Sequence, residues 1–212
     1  MTMSTKKKSE TKTEPKERLT SVYIVGVPFT VIYEDKPRSR KDESVLGLLN
    51  LPDQTIKIKK DVSDALCSRI LMHEMTHGML YMIGKYKLGN NEQFVQSFAL
   101  GLSSVFVPRT DKPINKCPKK VNIFEIPYKV ALFDDDDFTD FGYLNFDKQV
   151  ILIDSKVSSE IHRLALVEQV VCAILESLCY QELSEDTAFT RCIAMAICHT
   201  LDFKTEEEMK AK

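Results

Sequence analysis

The sequence has no tryptophan, only 7 glycines and no cysteine pair at CxxC spacing. Scarce glycine beside only 8 prolines excludes a collagen-like or low-complexity chain. With 43% hydrophobic and 28% charged residues over 212 positions, the composition is that of an ordinary globular protein. An excess of positive charge is also missing. Twenty-nine Lys and Arg against 31 Asp and Glu give a net charge of -2, which supplies none of the field that phosphate-backbone binding needs. No nucleic-acid partner is therefore expected, and no membrane partner either. The opening stretch, Met1 to Arg18, is rich in Lys, Glu, Thr and Ser and has no apolar segment, so neither a signal peptide nor an anchor is expected. A cytoplasmic location follows as the default. The stretch is read as a disordered tail, 1–19, because it cannot bury enough apolar surface to offset its ordering entropy. The six cysteines (Cys67, Cys117, Cys172, Cys179, Cys192, Cys198) are read as reduced core residues.

What is present is an internal repeat. Val22 to Val31 lies on Val121 to Val130, with Pro28 over Pro127 and Phe29 over Tyr128. Gly47, Asn50, Gln54, Ile56 and Ile58 fall on Gly142, Asn145, Gln149, Ile151 and Ile153 at one constant step. Each half reads as a strand, a polar loop, a strand pair and two helices, which predicts an α+β fold in two tandem domains, each a small β-sheet packed against helices. Leu48 to Ile58 and Tyr143 to Ile153 have hairpin character around Pro52-Asp53 and Asp147-Lys148. Ser63-Asp64 and Ser158-Ser159 are helix N-cap signals. The first long helix is predicted from Asp64 to Ile83, stopped by Gly84, and the second from Asn91 to Phe106, stopped by Pro108. The expected domains are 20–108 and 121–205, joined by a linker at 109–120 and followed by a charged tail at 206–212.

One motif carries chemistry. His73-Glu74-Met75-Thr76-His77 is an HExxH pattern inside the first long helix. Residues four apart share a helix face, so both imidazoles can point at one ion while Glu74 sits on the neighbouring edge. Such ligands suit zinc. A catalytic zinc needs a third protein ligand and an open position for water, whose proton Glu74 would accept as general base. Glu92, at the start of the next helix, is the candidate third ligand. The plainer reading keeps His73 and His77 as hydrogen-bonded helix residues and Glu92 as a residue favoured by the helix dipole.

Ile24 to Val31, Leu46 to Ile58, Leu71 to His77 and Asn91 to Ala99 together resemble the small phage and prophage proteins called ImmA/IrrE-like, minimal gluzincin-type metallopeptidases. The resemblance covers the first half well and the second in outline. It implies a zincin-like domain with a short sheet on two or more helices, zinc bound by His73, His77 and Glu92, and Glu74 as general base. It also implies a phage origin, but no substrate.

Superposing Arg69 on Arg163 sets His73 on Val167, Glu74 on Glu168 and His77 on Val171, while Phe94 over Phe189 places Thr187 at Glu92. The second half is thus expected to be a degenerate copy without metal ligands. Asp134 to Asp137 is read as a solvated acidic loop rather than a cation site, and His162 and His199 as helix-surface residues. Met72, Met75, Met79 and Met82 lie at near-helical steps and suit core packing or an adaptable peptide-contacting surface. Two functions follow. One is a zinc-dependent metallopeptidase acting on a peptide or protein, its oxyanion held by zinc with Tyr23, Tyr81, Tyr86 or an arginine. The other is a non-catalytic phage-encoded binding protein on the same fold that targets a host regulator or defence component.

Overall fold

The computed structural model describes residues 18–38, 44–109, 117–134 and 140–210. Most of the N-terminal tail and of the linker, together with Asp135 to Asp137 of the acidic run, lie outside the described residues.

Alternating apolar residues build the first sheet from β1 (Ser21–Ile24), β2 (Val27–Glu34), β3 (Gly47–Asn50) and β4 (Thr55–Lys59). Val22, Ile24, Phe29, Val31, Ile56 and Ile58 all point to one face and are buried, as a period of two dictates. The order is β1-β2-β4-β3, with β2 and β4 parallel and both outer pairs antiparallel, so β3 is an edge strand. The single strand expected over Val22 to Val31 is instead a hairpin. It breaks at Val25 and Gly26, whose φ values of 50° and 78° are those of a two-residue turn.

Three helices and a short strand complete the repeat: α1 (Asp64–Met82), α2 (Tyr86–Gly89), α3 (Glu92–Val105) and β5 (Phe106–Pro108). Ser63 caps α1 by accepting from the Leu66 amide, and Gly84 at φ +76° ends it. The second half repeats the series as β6 (Lys120–Ile123), β7 (Ile126–Phe133), β8 (Gly142–Asn145), β9 (Val150–Asp154), α4 (Ser159–Ser177), α5 (Gln181–Glu185), α6 (Thr187–Thr200) and β10 (Leu201–Phe203). Its sheet order, β6-β7-β9-β8, is the same. A final α7 (Glu206–Lys210) follows. The fold is α+β.

The two repeats grip each other. The second helix of the first repeat stops one residue short of Phe106 because the chain there leaves to pair with β10, Phe106 opposite Phe203 with rings 4.9 Å apart. The hairpin tip of each repeat is held by the last helix of the other: the Val25 amide donates to Thr200 Oγ1 at 2.8 Å and the Phe124 amide to Ser104 Oγ at 3.2 Å. Buried side chains from both repeats form one continuous core. Met72, Met75 and Met79 belong to it, and Met82 is 39% exposed. All six cysteines are free, but only Cys67 takes the expected core position; Cys117, Cys172, Cys192 and Cys198 are half-buried and Cys179 is exposed. No described helix is long and apolar enough to cross a membrane.

Candidate metal centre

α1 cannot turn freely about its axis, because Leu71, Met72, Met75 and Met79 are locked in the core. That fixes His73, Glu74 and His77 beneath the edge strand β3. The chain then reverses at Gly84, passes through α2, and is capped at Asn91, whose side chain accepts from the Phe94 amide. Glu92 is thereby the first residue of α3. Its carboxylate reaches back to the α1 histidines, with Oε2 3.3 Å from His73 Nε2 and Oε1 3.5 Å from His77 Nε2. The two Nε2 atoms are 3.0 Å apart. Among the described residues, His73, His77 and Glu92 form the one group of three potential ligands converging within 4.8 Å.

The donor set fits zinc. Tetrahedral coordination with metal–ligand bonds of about 2.0–2.2 Å requires neighbouring donor atoms roughly 3.3 Å apart, near the three separations above. The supporting contacts fit as well. His77 Nδ1 lies 2.7 Å from the Gly89 carbonyl oxygen, which only a protonated Nδ1 can bond, and this leaves the Nε2 lone pair facing His73 and Glu92. The single Tyr81 O–H is shared between the same carbonyl at 3.0 Å and Asn90 Oδ1 at 2.9 Å, tying down the turn. A Cβ at Gly89 would come within 2.6 Å of the Tyr81 ring, so a glycine lets this carbonyl approach. Burial and the neighbouring His77 push the His73 pKa down, against Glu92, which favours the neutral imidazole a metal ligand requires.

Glu74 is buried beside these ligands. Burial raises its pKa to about 7, opposed by a hydrogen bond from the Leu49 amide and reinforced by the charge of Glu92. A Cβ on Gly47 of β3 would sit 2.5 Å from Glu74 Oε1, so β3 lies directly over this carboxyl. All of these groups open into a groove of about 600 Å³ between β3 and α3.

The helix caps set the correspondence between the repeats. Ser63 and Ser158 each cap a 19-residue helix, and Asn91 and Asp186 each cap a 14-residue one. On this register Glu168 stands at His73, Gln169 at Glu74, Cys172 at His77 and Thr187 at Glu92. The superposition of Arg69 on Arg163 is therefore one residue out, and the true counterpart of Arg69 is Leu164. Contacts agree: His77 meets the Gly89 carbonyl, and Cys172 Sγ lies 3.7 Å from the carbonyl of Ser184, the counterpart of Gly89. Gln96 corresponds to Arg191, which pairs with Glu168 at 3.3 Å.

Of the remaining sequence candidates, Tyr81 lines the groove, whereas Tyr86 is 62% exposed and stacks on Tyr81. Tyr23 lies on β1, away from the groove lining. His162 Nε2 contacts the Asp154 carbonyl at 2.6 Å, and His199 lies in the last turn of α6. Asp134 pairs with Lys156. Sequence reasoning missed Arg69, Gln96 and Leu100 as groove residues; their spacing from His73 and Glu92 in helical steps was the available signal. Comparisons of the chain with protein-family models, with characterised proteins and with solved structures find no match.

Proposed function

We propose that the first repeat is a zinc-dependent metallopeptidase site that hydrolyses a peptide or protein segment in the cytoplasm, with His73, His77 and Glu92 as ligands and Glu74 as general base. The observation that carries this reading is the convergence of an imidazole–imidazole–carboxylate set beside a buried carboxyl, under an exposed strand edge.

A bound zinc polarises the substrate carbonyl and makes water nucleophilic near neutral pH. The protein's own groups supply the rest. Glu74 takes the water's proton as it attacks and passes it to the leaving amine, a role matched to a carboxyl whose pKa burial has raised towards 7. The Leu49 amide orients that carboxyl by donating to it. Gly89 fixes the His77 tautomer, and Tyr81 holds Gly89 rather than the oxyanion. The outer edge of β3 borders the groove, so an extended peptide can lie along it and add a strand, the carbonyl to be cleaved coming opposite Glu74.

A second reading, a phage-encoded binding protein without hydrolysis, draws on the second repeat, where this scaffold persists with Glu168, Gln169, Cys172 and Thr187 at the four positions. Metal content by mass spectrometry and cleavage of a peptide library separate the two. The peptidase reading requires one zinc per chain, lost in His73→Ala/His77→Ala, and a Glu74→Gln protein that keeps zinc but loses at least 100-fold in cleavage rate, the scale of a general base. Zinc retained with cleavage undetectable in the unsubstituted protein supports the binding protein. No zinc after reconstitution overturns the metal site.

A further inference from the structure

The groove is chemically uneven along its length. From His73 it runs toward the N-terminal end of α1, lined by Leu66, Arg69 and Ile70, with Leu46 on the strand side and Leu100 on α3. Leu46 and Leu100 are 47% and 49% exposed, so the groove keeps apolar surface in water that an apolar occupant would cover. Arg69 is exposed among them, and no described carboxylate, carbonyl or ring engages its guanidinium. Among the described arginines it stands alone in this. Arg18 holds Asp64, Arg109 the Cys198 carbonyl, Arg163 Asp202 and Arg191 Glu168, and Arg38 also has a partner. Among the described residues, Arg69 is also the only Lys or Arg lining the groove.

Its position gives a register. Arg69 lies four residues before His73, one turn up the same helix face and about 6 Å along the axis. An extended chain advances about 3.3 Å per residue, so Arg69 is roughly two residues from a bond held at the metal cluster. We propose, resting on the peptidase reading above, that the groove selects peptides carrying a carboxylate two residues from the scissile bond, next to a large apolar residue covered by Leu46 and Leu100. A guanidinium suits this role because its planar fork binds both carboxylate oxygens. The carboxylate belongs to an acidic side chain or to the end of the peptide, two sources with one chemistry. The selectivity is confined to the first repeat, since Leu164 occupies the place of Arg69 in the second.

The test is binding, measured by fluorescence anisotropy, to the full-length zinc-loaded chain carrying Glu74→Gln so that probes are not consumed. Four labelled probes share a central Leu–Leu bond. Two are octapeptides with glutamate or lysine two residues beyond that bond, and two end there as a free acid or an amide. The glutamate probe should bind at least tenfold tighter than the lysine probe. Arg69→Ala should equalise the two and Arg69→Glu should reverse them; at this exposed position neither substitution threatens folding. A free-acid probe preferred over its amide assigns the chain terminus as the source, and glutamate alone preferred assigns the side chain. Equal affinities within both pairs (glutamate with lysine and free acid with amide), a preference that survives Arg69→Ala, or no binding of any probe overturns the proposal. Arg69-dependent binding with no cleavage of the glutamate probe by the unsubstituted protein upholds the carboxylate site and removes the peptidase reading. Cleavage indifferent to charge does the reverse.

Discussion

The two repeats place polar groups at the same points of the same scaffold but differ in what faces them. In the first, three acceptor-bearing groups, His73, His77 and Glu92, converge with no protein cation among them. In the second, Glu168 takes the place of His73 and is held by the Arg191 guanidinium at 3.3 Å, with Thr190 Oγ1 at 3.5 Å. The thiol of Cys172, in the place of His77, stays protonated, its pKa pushed up to about 12 by burial and by the carboxylates of Glu168 and Glu176. The second site is thus complete in charge from its own side chains. The first has no cation among its own three groups, the place the proposed zinc would fill, and Gln96 stands where the second repeat has its arginine.

The largest break in that comparison is to make the second site like the first. Glu168→His/Gln169→Glu/Cys172→His/Thr187→Glu/Arg191→Gln restores the four groups and removes the internal cation. The expected outcome is one additional zinc per chain by mass spectrometry of the intact protein. An unchanged metal content would mean that the backbone correspondence of α4 and α6 with α1 and α3 does not extend to ligand geometry.

The glycines under the edge strands sharpen the comparison at smaller scale. A Cβ on Gly47 would stand 2.5 Å from both Glu74 Oε1 and Ile70 Cγ2, whereas one on Gly142 would meet nothing closer than Ile153 Cδ1 at 3.1 Å. Gly47→Ala should cost about 2 kcal/mol in urea unfolding, in the range of core overpacking, and Gly142→Ala less than about 1 kcal/mol. Equal costs would show that Glu74 does not press against β3.

The sequence exposed the parts of this architecture that rest on local chemistry. Alternating Val, Ile and Phe marked the strands, Ser63 and Ser158 the helix starts, and the four-residue histidine spacing the shared face. The hairpin turn between β1 and β2 carries a single glycine, Gly26, and its counterpart, Phe124-Glu125, adopts φ values of 47° and 71° with none, so the repeat shares no turn signal. β5 and β10 are three residues each and exist only through pairing with each other across the repeats, which no local window registers. The register of the second helix was misread because Arg163 resembles Arg69 in type alone. Arg163 bonds Asp202 and the Leu201 carbonyl beneath β10, a distant contact invisible in the helix sequence, while the caps already carried the correct alignment.

The smallest expected difference lies where the two long helices end. α1 stops at Gly84 with φ +76° and α4 at Cys179 with φ +61°, and each end is closed by the same pair of bonds. The Lys85 amide donates to the Leu80 carbonyl at 2.8 Å, and the Tyr180 amide to the Leu175 carbonyl at 2.9 Å. A left-handed cysteine costs about 1–3 kcal/mol that glycine does not, offset by the roughly 0.5–1 kcal/mol that glycine loses in ordering its backbone. Cys179 is exposed, so replacing it removes no core contact. Cys179→Gly should therefore raise stability by about 1 kcal/mol, read as a small rise in the urea midpoint at constant slope. Gly84→Ala should lower it by a similar amount. If Cys179→Gly has no effect while Gly84→Ala destabilises, the second helix end is relaxed by its surroundings, and the two repeats differ in how firmly their helix ends are set, not only in what their sites hold.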